Sequence, residues 1–382
     1  MQSRFERHRF LTACGLAALL PVLLFGLDMG AWYTKNGIHA FLQQAAVWRG
    51  TVLPGSVTAA TSNPVFHHGL KANWSARGTW GPLHYDVNTN SLGFKDERVR
   101  DVPMRAAGRR IILVGDSFAE GVGLSYPSTF AGMMSREMAA RNTEVLNAAV
   151  TSYSPITYLR KLKYWMEEEG LAAHEVVVFL DLSDIQDETF YEFGPDGSVR
   201  TVVSPAWLTY CLTAHGEPFW LNRLFHRTYV SGALFGMLQR SSIPADVPNR
   251  EALNFPRVLW TVDSRYYNQY AVAGLPLALK HMDELKAFLD SRSVAMRLVV
   301  YPWPDQIYRH DLPSRQETIW RAWADAHQVP FLDLFPDFIG GEPARAILAK
   351  YFIPGDVHWN EAGHRLVANR VLAAFFPTNS RP

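Results

Sequence analysis

From about residue 108 onward, short apolar runs alternate with amphipathic segments. The runs are strand-length and the segments between them repeat apolar residues at helical spacing, as Phe130, Met134 and Met138 do. Strands that alternate with helices predict a parallel sheet covered on both faces. The predicted strands are 110–114, 144–147, 175–180, 297–301 and 330–334, and the predicted helices are 128–141, 158–168, 275–291, 314–327 and 360–375.

Two stretches depart from this alternation. Residues 34–107 show little regular pattern and several turn signals, so we expect an N-terminal extension that packs on the following domain. Residues 189–262 are rich in prolines and aromatics and predict an insertion. We therefore divide the chain into a cytoplasmic tip with a transmembrane anchor (1–33), the extension (34–107), and an α/β domain (108–382) that contains the insertion.

The N-terminal segment has the pattern of a membrane anchor. Arg4, Arg7 and Arg9 precede an almost unbroken apolar run of 18 residues, 10–27. This length is near the lower limit for a membrane-spanning helix, and the basic flank places the N-terminus in the cytoplasm. We expect a single-pass anchor in the cytoplasmic (inner) membrane, with the rest in the periplasm. The alternatives are a cleaved signal peptide, for which the run lacks a good small-x-small site, and lipidation at Cys14, which stands at its wrong end.

Composition narrows the class of protein. Hydrophobic residues make up 48% and charged residues 19% of the 382, so a sizeable core can form. A formal net charge of +1 gives no basic field for nucleic acid. The two cysteines, Cys14 and Cys211, stand outside any Cys/His cluster, so we expect neither a structural disulfide nor a metal site, and no cofactor.

Two motifs near opposite ends of the α/β domain carry candidate chemistry. The first predicted strand stops in Gly-Asp-Ser-Phe, which begins at Gly115 and contains Ser117. Near the other end, Asp-Val-His-Trp-Asn supplies Asp356 and His358. A serine nucleophile needs an imidazole to take its proton and a carboxylate to orient that imidazole. The competing interpretation is a capping serine and a packing histidine, with His364 as a rival base.

This combination resembles the SGNH hydrolases, also called GDSL-type esterases, in which the serine comes first and the aspartate and histidine lie together near the C-terminal end. The resemblance covers roughly residues 108–375. The stretch Asn-Ser-Leu-Gly-Phe-Lys-Asp at 90–96 is similar to one found in membrane-anchored members. The resemblance implies a three-layer α/β/α, flavodoxin-like domain with a parallel sheet, preceded here by one N-terminal transmembrane helix. It also implies a triad of Ser117, His358 and Asp356.

The resemblance further implies an oxyanion hole, which stabilises the tetrahedral intermediate. The family uses the N–H of the nucleophile, the N–H of a glycine and an asparagine side chain; these positions fall here on Ser117, Ala149 and Ser183. Alanine keeps the N–H, whereas serine replaces an amide with a shorter hydroxyl. Asp181 could ligate a cation, although a solvated loop carboxylate is the simpler interpretation. Trp303 follows the fourth strand and either stacks on a sugar ring or packs on the core.

The function implied is serine-dependent acyl transfer through an acyl-Ser117 intermediate, acting on O-acetyl groups of carbohydrate as an esterase. If a sugar hydroxyl attacks the same intermediate, the chain is an O-acetyltransferase of a cell-surface or exported polysaccharide. A non-catalytic polysaccharide-binding or assembly protein with a decayed SGNH fold is the hypothesis from a different class. Expected partners are a carbohydrate or polysaccharide, the membrane through the N-terminal helix, and other polysaccharide-modification proteins.

Overall fold

The chain divides into two compact units, Met1–Pro54 with Cys211–Pro244, and Gly55–Tyr210 with Ala245–Pro382. Cys14, Cys211 and most of the predicted insertion lie outside the described residues. In the computed structural model, the described residues are 19–34, 60–80, 83–194, 197–201, 228–231, 247, 253 and 256–377.

The prediction of a single-pass anchor in the inner membrane is wrong. In the first unit, the described residues 19–34 are helical. Asp28 interrupts the apolar surface and accepts hydrogen bonds from the N–H groups of Tyr229 and Ser231, at 2.8 and 2.7 Å. Among the described helices, none combines the length and the apolar character needed to cross a membrane.

An eight-stranded mixed sheet forms the centre of the second unit. The described strands are β1 Ala60–Asn63, β2 His67–Leu70, β3 Ser75–Trp80, β4 Leu83–Thr89, β5 Lys95–Asp96, β6 Arg109–Gly115, β7 Thr143–Asn147, β8 Glu175–Leu180, β9 Tyr191–Phe193, β10 Val199–Thr201, β11 Ala295–Val300 and β12 Phe331–Asp333. The order in the central sheet is β12-β11-β8-β6-β7-β5-β4-β3; β12, β11, β8, β6 and β7 are parallel neighbours, and β5, β4 and β3 continue antiparallel. Two further antiparallel pairs are β1–β2 and β9–β10.

The parallel strands have the order of a flavodoxin-like sheet. When the five parallel strands β6, β7, β8, β11 and β12 are numbered 1 to 5 along the chain, their order across the sheet is 2-1-3-4-5. The order reverses between β6 and β8, and ligands of such sheets bind beyond the carboxyl ends of the strands at that point. After the charged residues at their starts, both strands are apolar because the sheet is covered on both faces there, and β8 is buried over its whole length. The prediction of an α/β fold with a mostly parallel sheet is confirmed.

The helices occur close to their predicted positions. Phe130–Ala139 packs against both β7 and the last helix. The α-helices of the second unit are Ser117–Glu120, Phe130–Ala139, Pro155–Lys163, Asp184–Asp187, Ser264–Tyr266, Gly274–Ser291, Pro304–Tyr308, Arg315–Ala326, Phe335–Phe338, Ala344–Tyr351 and Glu361–Phe375.

The predicted extension is more regular than its sequence indicates, because β3, β4 and β5 join the central sheet. In β4, alternate residues are buried. Lys95 in β5 is buried, and its Nζ donates to the carbonyl oxygens of Gly121 and Leu124, at 2.7 and 2.8 Å. Gly93 has a φ of 69°, and a Cβ there would lie 2.3 Å from the Leu70 carbonyl oxygen, so this turn requires glycine. The extension therefore holds the loop that follows the Ser117–Glu120 helix.

Candidate active site

Ser117, His358 and Asp356 meet beyond the carboxyl end of β6. The Oγ of Ser117 lies 2.8 Å from Nε2 of His358, and Nδ1 of His358 lies 2.5 Å from Oδ1 of Asp356. Both distances are within hydrogen-bonding range. Ser117 and His358 are 8% and 7% exposed, so this contact is largely shielded from water. The three predicted side chains thus form one continuous hydrogen-bonded chain with the geometry of a nucleophile, a base and an orienting carboxylate.

The turn after β6 fixes the position of Ser117. Asp116 caps the short helix that follows, since its Oδ1 accepts the N–H of Phe118 at 3.0 Å. A Cβ on Gly115 would lie 2.5 Å from the Cβ of Ala119 and 2.9 Å from the carbonyl oxygen of Phe179 in β8. Glycine at this position therefore lets the helix and the neighbouring strand come close together.

A closed loop presents the histidine and the aspartate. Phe352 and Trp359 form an isolated antiparallel bridge at its base, and Gly355 within it adopts a left-handed φ of 75°. Asn360 then begins the last helix, as predicted, because its Oδ1 accepts the N–H groups of Ala362 and Gly363, at 2.9 and 3.1 Å. Both ends of the loop are thus fixed by backbone structure.

Trp80 contacts the triad, although its sequence context gave no reason to expect this. Its Nε1–H donates to Oδ2 of Asp356 at 2.8 Å, and its ring packs edge-on against His358, with centroids 5.1 Å apart. Burial acts to raise the pKa of Asp356, but the charge and hydrogen bonds of His358, together with Trp80, outweigh it and lower that pKa to about 2. The carboxylate is therefore ionised at neutral pH and can stabilise a protonated imidazole.

The loop after β7 is tied to the helix that follows β6. Asn147 Nδ2 donates to the carbonyl oxygen of Ala119 at 2.9 Å, and Glu120 Oε2 accepts both the N–H and the hydroxyl of Thr151, at 2.7 and 2.8 Å. The N–H of Ala149, which we predicted to face the oxyanion, instead donates to Oδ1 of Asn147 at 3.2 Å. The N–H of Ala149 is thus paired within its own loop.

Ser152, in the same loop, offers an alternative donor. No described residue accepts a hydrogen bond from its N–H, and the same is true of the N–H of Ser117. Ser152 has a φ of 63°, in the left-handed region that favours glycine. Nothing in the sequence marks a serine that adopts this conformation, so the sequence motifs did not predict a role for Ser152. Ser183 lies beyond the end of β8, where its N–H donates to Asp181 and its hydroxyl has no partner among the described residues.

Three buried carboxylates lie behind the nucleophile. One oxygen each of Asp116, Asp181 and Asp184 lies within 4.8 Å of the others. Burial, and then the negative charge of Asp181, raise the pKa values of Asp116 and Asp184 well above their usual range. Carboxylate oxygens are ligands that hard cations prefer. An aromatic side chain donates a hydrogen bond to each of the three carboxylates, while Oδ1 of Asp184 has no partner among the described residues. Tyr301 donates to Asp116 at 3.3 Å, Trp303 donates to Asp181 at 2.8 Å, and Tyr158 donates to Asp184 at 2.6 Å.

Trp303 and His364 both have packing roles in the structure. Trp303 is 7% exposed and its ring packs on Phe118, with centroids 5.6 Å apart, so it offers little surface to a sugar ring. This placement corrects the substrate-stacking prediction in favour of the rigid-loop alternative. His364 is buried, and its Nδ1 accepts the N–H of Phe130 at 3.2 Å. Burial lowers the pKa of His364 to about 3, so this imidazole stays neutral.

The raised pKa of Asp184 predicts a pH-dependent difference between the wild type and Asp184→Asn. A carboxyl group whose pKa rises on folding stabilises the folded state at low pH, and this contribution is lost as pH rises above the unfolded pKa of about 3.9. Asparagine does not titrate and keeps an acceptor for Tyr158. Urea unfolding at about pH 5 and about pH 8 should show the variant gaining stability relative to the wild type at the higher pH. An unchanged difference would mean that Asp184 is ionised in the fold.

The chain is similar to several solved structures. No protein-family profile and no curated protein matches the chain. Solved structures that match include LAE5, an alpha/beta hydrolase from the metagenome of Lake Arreo (16% identity, TM-score 0.37, 72% of this chain and 99% of that one). A second is a lipase/acylhydrolase from Enterococcus faecalis (14% identity, TM-score 0.36, 69% of this chain and 94% of that one). A third is the acetyl xylan esterase AlAXEase (15% identity, TM-score 0.34, 70% of this chain and 99% of that one). These values are too low to support an argument about fold or activity. GDSL-type lipases, esterases and acylhydrolases, the superfamily that the sequence resembles, recur among the similar structures.

Proposed function

We propose that this chain is a serine esterase of the SGNH type that removes O-acyl groups, acetyl foremost, through an acyl-Ser117 intermediate. The observation that carries the proposal is the chain of hydrogen bonds from Ser117 through His358 to Asp356, at 2.8 and 2.5 Å. Such a chain is what a hydroxyl needs to become a nucleophile at neutral pH. The division into an extension (34–107) and a catalytic domain (108–382) belongs to the same proposal, with the extension completing the site through Trp80.

In the first half-reaction, Ser117 Oγ attacks the ester carbonyl carbon while His358 Nε2 takes its proton. Asp356, ionised, stabilises the imidazolium that forms. The carbonyl oxygen becomes an oxyanion, which the N–H groups of Ser117 and Ser152 bind, with the Ser183 hydroxyl as a third donor. The intermediate collapses by breaking the bond to the alcohol oxygen, which receives the proton from His358.

In the second half-reaction, a new acceptor attacks the acyl-Ser117 carbonyl while His358 again removes its proton. Water as the acceptor releases the acid and restores Ser117. A sugar hydroxyl would make the reaction an O-acetyl transfer to a polysaccharide. The carbohydrate substrate and the transferase alternative are supported only by the sequence resemblance, including the stretch at 90–96. We favour hydrolysis, since Trp303, the one predicted sugar platform, is buried.

Ser117→Ala tests the proposal against the non-catalytic alternative. The purified full chain should release the phenol from an aryl acetate, and the variant should lose at least about 10³-fold in kcat, because no other group can form the acyl intermediate. Equal rates for the two proteins would favour a binding or assembly role on a decayed fold. In the same assay, an added oligosaccharide should gain no acetyl mass; an acetylated oligosaccharide made only by the wild type would establish transfer.

Trp80→Phe should lower kcat about tenfold, because it removes a hydrogen bond to an ionised carboxylate worth roughly 1.4 kcal/mol or more. The apolar ring contact with His358 is largely kept. The matched control is Trp74→Phe, since Trp74 Nε1 has no hydrogen-bond partner among the described residues and the change removes none. Steady-state kinetics on an aryl acetate give the comparison. Equal kcat values for the two variants would show that the hydrogen bond from Trp80 to Asp356 does not contribute to catalysis.

A further inference from the structure

We infer that His68 is a positioning residue, which holds the peptide group between Thr151 and Ser152 so that the N–H of Ser152 faces the oxyanion. The inference rests on the proposed function and deepens it. His68 lies in β2, in the predicted extension and 83 residues before Thr151, and nothing in the serine and histidine motifs points to it.

The central contact is between the imidazole and a backbone carbonyl. Nε2 of His68 lies 2.8 Å from the carbonyl oxygen of Thr151. This oxygen and the N–H of Ser152 belong to one planar peptide group, which is trans, so the two groups point in opposite directions. By holding the oxygen on one side, His68 fixes the direction of the N–H on the other side. That N–H has no acceptor among the described residues.

The protonation of His68 follows from its neighbours. A carbonyl oxygen can only accept, so Nε2 carries the hydrogen. Burial lowers the pKa of His68 to about 3, and the imidazole is therefore neutral, with Nδ1 as an acceptor. Nδ1 of His67 lies 2.7 Å away and donates to it. The hydrogen bonds thus run in one direction from His67 through His68 to Thr151, and bonds arranged in this way strengthen one another.

Other side chains hold the two neighbouring peptide groups and the side chain of Thr151. Glu120 accepts the N–H and the hydroxyl of Thr151, and Tyr191 Oη donates to the carbonyl oxygen of Ser152 at 2.5 Å. The left-handed φ of Ser152 is one that residues other than glycine adopt only where surrounding contacts enforce it. His68 is itself anchored, because Tyr153 Oη donates to its backbone oxygen at 2.5 Å. These contacts restrain the backbone on both sides of the Thr151–Ser152 peptide group, and with it the orientation of the Ser152 N–H.

Two variants of His68 separate positioning from packing. Phenylalanine fills the site but cannot donate to Thr151, whereas glutamine carries an amide N–H₂ that can replace the Nε2 donor. For His68→Phe we expect kcat on an aryl acetate to fall roughly ten- to hundredfold with KM within about threefold, because an oxyanion donor acts on the transition state. For His68→Gln we expect kcat to recover to within about threefold of the wild type.

A second readout needs no turnover. Phenylboronic acid forms a tetrahedral adduct with a nucleophilic serine, so its affinity, measured by titration calorimetry, should fall at least about tenfold in His68→Phe and recover in His68→Gln. The thermal stability of the wild type, His68→Phe and His68→Gln is measured alongside both assays.

The outcomes distinguish the two proposals. If the wild type neither hydrolyses the ester nor binds the boronic acid, the proposed function fails and this inference with it. If the wild type is active and His68→Phe matches it in kcat and boronate affinity, only the inference is overturned. If both variants lose activity equally together with thermal stability, His68 is a packing residue and the inference is likewise overturned. Loss in His68→Phe with recovery in His68→Gln supports it.

Discussion

The hydrogen bond between Ser117 Oγ and His358 Nε2 is the interaction on which this site depends. It joins side chains 241 residues apart in sequence, at 2.8 Å. The parallel sheet makes that approach possible, since β6 delivers the serine to the edge where the order of strands reverses. The capped loop from Phe352 to Asn360 delivers the histidine to the same place. A shift of about 1 Å in either element would break the contact and, with it, the route for the proton.

The electrostatics around this bond differ on its two sides. On the histidine side, Asp356 is held ionised by His358 and Trp80, which overcome the effect of its burial. On the serine side, burial and the negative charge of Asp181 raise the pKa values of Asp116 and Asp184 well above their usual range. The surroundings thus favour the charged form of Asp356, close to the imidazole, and disfavour charge on Asp116 and Asp184, behind the nucleophile. Such a separation of pKa values between neighbouring acids is typical of sites that move protons.

Much of the fold and part of the site could be predicted from the sequence. Strands such as β8 are continuous apolar runs, because both faces of a parallel sheet are covered, and this pattern can be recognised without a structure. Ser117, Asp356 and His358 could be found because they lie in short motifs. Trp80, His68 and Ser152 could not be found, because their roles come from contacts across the fold and from a backbone angle. The apolar run near the N-terminus led to the wrong prediction of a membrane-spanning helix, because apolar character over a short stretch does not specify a membrane span.

Trapping the acyl intermediate tests the central claim most directly. The full chain would be mixed with an aryl acetate, quenched in acid within milliseconds, digested and examined by mass spectrometry. The account predicts that the peptide containing Ser117 gains one acetyl group, transiently, and that His358→Gln, which keeps a hydrogen-bonding side chain but lacks a base, gains none. An acetyl group on another residue, or phenol release with no acetylated peptide at any time, would contradict the account.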